Sequence, residues 1–143
     1  MNNRATEILS ESEVIELNAI SGIVLDCCIE VHRNLGPGLL ESVYECCLMK
    51  ELASRGLNAA SQVPLPVFYK GEPIGKEFFV DIIIENKVLL ELKTCEKLLP
   101  IHKAQTMTYL KLSGIKLGLM INFNVPLLIQ GFERVLNGQF PKT

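Results

Sequence analysis

Asp81, Glu91 and Lys93 are the residues of this chain whose types and spacing could do chemistry. They lie in the run Asp81-Ile-Ile-Ile-Glu-Asn-Lys-Val-Leu-Leu-Glu91-Leu-Lys93, which reads as two apolar strands joined by a polar turn, Glu85-Asn86-Lys87. Folding the hairpin about Asn86 sets Ile84 opposite Val88 and, in the same register, Asp81 opposite Glu91. Side chains alternate along a strand, so Glu91 and Lys93 share a face and Asp81 joins them. Directly opposed residues have Cβ atoms roughly 4.5–5.5 Å apart, where like charges repel. Two carboxylates and an ammonium on apolar strands are costly unless something pairs them. A Glu91–Lys93 ion pair alone would leave Asp81 uncompensated. A divalent metal between the carboxylates, with Lys93 beside it, would compensate both.

The chemistry such a set could perform is hydrolysis of a phosphodiester. Carboxylate oxygens suit Mg²⁺ or Mn²⁺ and leave coordination sites for water and phosphate. The cation polarises a phosphoryl oxygen and lowers the pKa of bound water. Lys93 would orient that water or stabilise the charge of the transition state. As a general base it would need a depressed pKa, which nearby carboxylates oppose.

The elements that must position these residues follow from apolar spacing. Val14, Leu17, Ile20, Val24, Cys28, Val31 and Leu35 recur at helical spacing and predict a helix from Ser12 to the breaker Gly36-Pro37-Gly38. A second helix is expected from about Leu39 to Arg55, ending at Gly56. Its core stripe reads as Leu40, Val43, Cys47, Leu48 and Leu52, with Glu41, Tyr44 and Glu45 on a different face. Gln62–Tyr69, interrupted by Pro64 and Pro66, suits an edge strand, and Lys70-Gly71-Glu72-Pro73 is a turn. Segments 76–84 and 88–94 form the hairpin. Both its faces are largely apolar, so it should be central and covered by helices. Pro100 opens a helix to about Leu112, Lys116–Phe123 is a further strand, and Ile129–Val135 suits either a short strand or a turn of helix. The order α-α-β-β-β-α-β predicts an α/β layered domain with a central mixed sheet flanked by helices. Residues 1–12 read as a flexible N-terminus and 13–143 as a single domain.

Composition narrows the function classes. No apolar run reaches the ~18–20 residues of a membrane span, and Met1–Glu7 lacks the order of a signal peptide, so a cytoplasmic location is expected. Cys27-Cys28 and Cys46-Cys47 are adjacent pairs and Cys95 stands alone. With no Cys-x-x-Cys spacing they read as small buried apolar residues kept reduced. A net charge of −2 argues mildly against a dedicated nucleic-acid binder. A local basic patch remains compatible, since Lys93, Lys97, His102, Lys103, Lys111 and Lys116 fall within one stretch. His32 reads as a surface or core residue.

The combination of Asp81, Glu91-Leu-Lys93 on adjacent strands, a preceding helix with Glu41 and a following helix resembles the PD-(D/E)XK nuclease superfamily. Gly38-Leu-Leu-Glu41-Ser-Val-Tyr44 also resembles the signature of the GxxExxY protein family within it. The resemblance spans roughly residues 14 to 136. It implies a restriction-endonuclease-like core and a Mg²⁺- or Mn²⁺-dependent nuclease acting on DNA or RNA. By the same resemblance Asp81 and Glu91 are metal ligands, Lys93 is catalytic and Glu41 is an additional acid serving the metal and catalysis. Gln105-Thr-Met-Thr-Tyr109 resembles the Q-x-x-x-Y motif of recombination-type nucleases. Gln105 and Tyr109 are therefore expected on the substrate side, although both suit packing equally well; Lys103 flanks them toward substrate phosphates, and Tyr44, about one turn from Glu41, is expected in the same cleft. The proline that names the superfamily is replaced here by Val80. The competing reading is a non-catalytic nucleic-acid- or nucleotide-binding module of the same fold, or a subunit of a larger nucleic-acid-processing assembly. A homodimer is compatible with either.

Overall fold

The computed structural model describes residues 7–141. Helix α1 (Glu11–Leu35) starts at a capping box. Ser10 Oγ accepts from the Glu13 amide at 3.2 Å, and Glu13 Oε1 accepts from the Ser10 amide at 3.1 Å. Helix α2 (Glu41–Ser54) follows after the Gly36–Leu40 connection. Then come β1 (Ala59–Tyr69), β2 (Glu72–Ile84) and β3 (Val88–Lys93). Helix α3 (Pro100–Ser113) leads into β4 (Leu117–Asn122), and a 3-10 turn (Leu128–Gly131) precedes β5 (Phe132–Leu136). The ambiguous segment 129–135 is thus both a turn of helix and a strand. Gly114, at φ 77, provides the left-handed residue that ends α3.

The strands form one five-stranded sheet in the order β1-β2-β3-β4-β5 among the described residues. β3 and β4 are parallel, joined through α3, and the other neighbours are antiparallel. This is the mixed α/β arrangement expected. Two cores lie on opposite faces. Ile82, Ile84, Leu90, Leu92, Leu119 and Ile121 pack with α1 and α2. Ile83, Leu89, Met120 and Val135 pack with Tyr109 and Leu110 of α3. Burial of both faces explains the continuous apolar runs of β3 and β4.

Three expectations need correction. Residues 7–12 are tied down rather than frayed: Leu9 is buried, its amide donates to the Gln139 carbonyl at 2.9 Å, and the Gln139 amide donates to the Glu7 carbonyl at 2.8 Å. Residues 1–6 of the expected flexible segment lie outside the described residues. The buried stripe of α2 is Tyr44, Leu48 and Leu52, whereas Leu40 is 73% and Val43 38% exposed. An aromatic ring at the i−4 position before Leu48 outcompetes the smaller Val43 for the interior, where its face stacks on Phe123 at 4.3 Å. Of the cysteines, Cys27 and Cys28 are buried, but Cys46 is exposed because that same rotation of α2 turns it outward.

β2 is longer than the sequence suggested, and this shapes the site. It pairs with β1 along nearly its whole length, around a Lys70-Gly71 turn in which both residues have positive φ (51 and 80). Its pairing with β3 covers only Ile82–Ile84. Below Ile82 the β1–β2 pair leaves the sheet as an arm.

Candidate active site

The sheet opens where the carboxylates stand. The β2–β3 ladder holds Ile84 against Val88 and Ile82 against Leu90, the register predicted about Asn86. The next pair would be Asp81 and Glu91, but there the backbone ladder stops. Each carboxylate instead takes an amide of the opposite strand. Glu91 Oε2 accepts from the Asp81 N–H at 3.0 Å, and Asp81 Oδ2 accepts from the Leu92 N–H at 2.8 Å. Two side chains thus replace the missing rungs, which satisfies the backbone and draws both acids into the notch.

The opposite edge of β2 is distorted at the same level. Gln62 has φ 49 and drops out of the β1–β2 ladder between Ser61↔Ile82 and Val63↔Val80. Its amide nitrogen donates to Glu45 Oε1 at 2.7 Å and to Asp81 Oδ1 at 3.3 Å. Gln62 therefore links the acids of the sheet to those of α2.

Charge is crowded here. Glu91 is only 5% exposed. Burial, then the neighbouring Asp81 carboxylate, raises its pKa from 4.5 to about 8, with Glu41 adding to the rise. The Asp81 amide and Lys93 pull it down, without prevailing. Glu45 is also raised, first by burial and then by Asp81 and Glu41, against the lowering effect of Gln62. Tyr109 is raised by burial and by Glu91 and Asp81, so the α3 ring stands within electrostatic reach of the same pair.

Lys93 is half-buried two residues beyond Glu91, paired in register with Asn122 of β4. Buried Asn122 braces the chain after Lys93: its Nδ2 donates to the Cys95 carbonyl at 2.8 Å and its Oδ1 accepts from the Cys95 amide at 3.2 Å. Glu41 is exposed in the first turn of α2 and acts on Glu91 through its charge. No group of three or more His, Cys, Asp or Glu side chains poised to hold a metal occurs among the described residues. Glu41 accordingly does not complete a direct three-carboxylate set with Asp81 and Glu91.

Tyr44 is a correction. It was expected on the substrate side, but it is fully buried. Its hydroxyl donates to the Gly36 carbonyl at 2.5 Å and accepts from the Leu39 amide at 3.2 Å. It pins the α1–α2 connection from inside the core. On α3, Gln105 and Lys103 are exposed while Tyr109 is buried against Phe78, with ring centroids 5.2 Å apart. Lys116 leaves the supposed basic patch, because it is held by Glu13 at 2.6 Å and Glu7 at 3.3 Å beside α1. His32 is a structural residue whose Nε2 lies 2.8 Å from the Val125 carbonyl. Gln62 and Glu45 are the participants that motif reading missed. Glu45 follows Glu41 by one helical turn, a spacing that carried the signal; Gln62 carried none.

The donor set fits a hard divalent cation. Mg²⁺ is commonly held by one or two carboxylates plus waters and substrate phosphates rather than by a complete protein cage. Asp81 and Glu91 supply such a pair, and the raised acid between them is the repulsion that a cation relieves. The carboxylates stand in the notch where the β2–β3 ladder stops.

A mixed sheet that opens around an acid–acid–lysine set between helices defines a nuclease-like α/β domain. The family model of the PD-(D/E)XK nuclease superfamily matches residues 18–135, and the chain belongs to that superfamily. Its members are mostly nucleases, which supports a nuclease-type function. Neither the curated proteins nor the solved structures include a match. No helix among the described residues is long and apolar enough to cross a membrane.

Proposed function

We propose that this protein is a Mg²⁺- or Mn²⁺-dependent nuclease that hydrolyses DNA or RNA phosphodiesters. The observation that supports this most is the pair of carboxylates concentrated in the open notch between β2 and β3, with Lys93 two residues on. Asp81 and Glu91 would hold the cation. Bound there, it would supply charge neutralisation and a more acidic water.

The chain's own groups do the rest. Leu92 and Asp81 amides fix the carboxylate orientations. Lys93 faces the attacking water or the anionic phosphoryl oxygens and stabilises developing charge. Glu41 and Glu45 add negative potential that strengthens the hold on a cation, and Gln62 orients Glu45 and Asp81. Gln105 and Lys103, exposed on α3, contact the substrate backbone. Tyr109 orders the α3 side of the notch. The Gly38–Tyr44 run supports a place in the GxxExxY group, with its tyrosine in a structural role in this chain.

The direct test incubates purified protein with single- and double-stranded DNA and RNA in Mg²⁺, Mn²⁺ or EDTA. Cleavage that requires metal and falls roughly 10²–10⁴-fold in Lys93→Ala is the expected result, the scale of losing one positioned group. Metal-independent cleavage, or equal turnover in Lys93→Ala, would remove this mechanism.

A further inference from the structure

The arm that β1 and β2 form below the notch has two unlike faces. Val63, Leu65 and Phe78 pack toward α3 and Tyr109. On the other face, the two-residue period of β1 aligns Pro64, Pro66 and Phe68, and Phe79 stands directly opposite Pro64. All four are exposed, Phe68 and Phe79 each to 54%. Phe79 lies two residues from Asp81 on β2, and Pro64 two from Gln62, whose side chain touches Asp81 and Glu45. The strip of rings therefore begins at the carboxylates and runs outward to the hairpin tip, where Tyr69 and Lys70 are exposed.

Resting on the nuclease reading above, we infer that this face of the β1–β2 arm binds single-stranded nucleic acid next to the notch, its bases stacked on Phe79 and Phe68. Aromatic platforms bind successive bases with little sequence preference, because every base has a π-face. Lys70, exposed at the hairpin tip, can meet a phosphate; Lys76 alternates onto the α3 side with Phe78, and Glu77, paired with Pro66, is an acid within the ring face. A second protein strand is a poorer occupant of this edge, since Pro64 and Pro66 offer no amide for pairing. A duplex is also a poorer fit, because its bases are already stacked and closed to the rings.

The test uses the full chain in EDTA, so that binding is read without cleavage. Fluorescence anisotropy of labelled oligothymidylate, oligouridylate and a duplex of the same length compares wild type with Phe79→Ala, Phe68→Ala and Phe79→Tyr. Single strands should bind more tightly than duplex. Each alanine variant should lose about tenfold or more in single-strand affinity, the scale of one base–aromatic stack, with an unchanged melting temperature. Phe79→Tyr, which keeps the ring, should bind like wild type. Wild-type affinity in both alanine variants would overturn the arm assignment and leave the nuclease reading standing. So would sedimentation showing a dimer that the alanine variants dissociate, since the strip would then belong to a second copy. Failure of the wild-type chain to bind any nucleic acid would overturn both.

Discussion

Replacing Glu91 by Gln should reverse the usual sense of a charge deletion and stabilise the metal-free protein at alkaline pH. The folded chain holds the Glu91 proton up to about pH 8, whereas the unfolded chain releases it near 4.5. Between those values the folded state binds the extra proton, so stability is greatest below 4.5 and falls as pH rises toward 8. Each tenfold change in an acid constant is worth about 1.4 kcal/mol, which makes the full loss on the order of 5 kcal/mol above pH 8 and roughly 3 kcal/mol at pH 7. A domain is stable by only about 5–15 kcal/mol in total, so this is a large fraction. Glutamine has the same shape and keeps an oxygen for the Asp81 N–H, but it does not titrate.

The assay is urea unfolding of both proteins in EDTA from pH 5 to pH 8.5. The two should differ by less than about 1 kcal/mol at pH 5 and separate by roughly 4 kcal/mol, in favour of Glu91→Gln, by pH 8. Glu13, held at about 2 by its hydrogen bond and ion pair with Lys116, titrates below this window and identically in both proteins. The difference between the curves therefore isolates position 91. Mn²⁺ should raise the stability of wild type at pH 8, by about 2.7 kcal/mol when free metal is a hundred times the dissociation constant. Below that pH, binding should release a proton to the buffer. Parallel curves for the two proteins across this range would refute the reasoning, because Glu91 would then not be a desolvated acid facing another carboxylate.

Asp81→Asn should abolish the Mn²⁺-induced rise in melting temperature while raising the metal-free value, because it removes repulsion and keeps an acceptor for the Leu92 amide; a retained metal response would count against the site. Tyr44→Phe should cost about 1–3 kcal/mol in denaturant unfolding, since the Gly36 carbonyl and Leu39 amide lose a shared partner, yet leave the Mn²⁺ response intact; loss of that response would return Tyr44 to the site. Gln105→Ala should weaken nucleic-acid binding, and the remaining affinity should still fall with added salt because phosphate contacts release counterions; a salt-independent affinity would show that phosphates are not what α3 meets.

The parts of this fold legible in the sequence are those set by local periodicity. A polar triplet between two apolar runs fixed the register about Asn86, because shifting it by one residue would exchange the faces of β2 and β3, both of which are built to be buried. Proline spacing placed β1 at an edge, and Pro100 and Gly114 bounded α3. What escaped was decided by competition between distant surfaces. Helix periodicity showed that α2 has a buried stripe. Which stripe depended on Phe123, nearly eighty residues away, offering Tyr44 a stacking partner. Lys116 looked like part of a basic patch because the acids that claim it, Glu7 and Glu13, are remote in sequence.

The opening of the sheet was hidden for a different reason. Alternation along β2 predicts that Asp81 and Glu91 are cross-strand neighbours, and a closed ladder there would press two carboxylates together with no amide free to offset them. By ending the ladder one pair earlier, the chain gives each carboxylate an N–H donor that pairing would have consumed. Gln62, at positive φ, relaxes the other side of β2 and brings a further donor to Asp81. The acids thus make the notch as much as they occupy it. Neutralising Asp81 and Glu91 together should remove the electrostatic reason for the opening. The β2–β3 ladder should then extend by the Asp81–Glu91 pair, visible as slowed amide hydrogen exchange at Asp81 and Leu92 in Asp81→Asn/Glu91→Gln. Unchanged exchange would mean that twist of the arm, and not charge, holds the sheet apart.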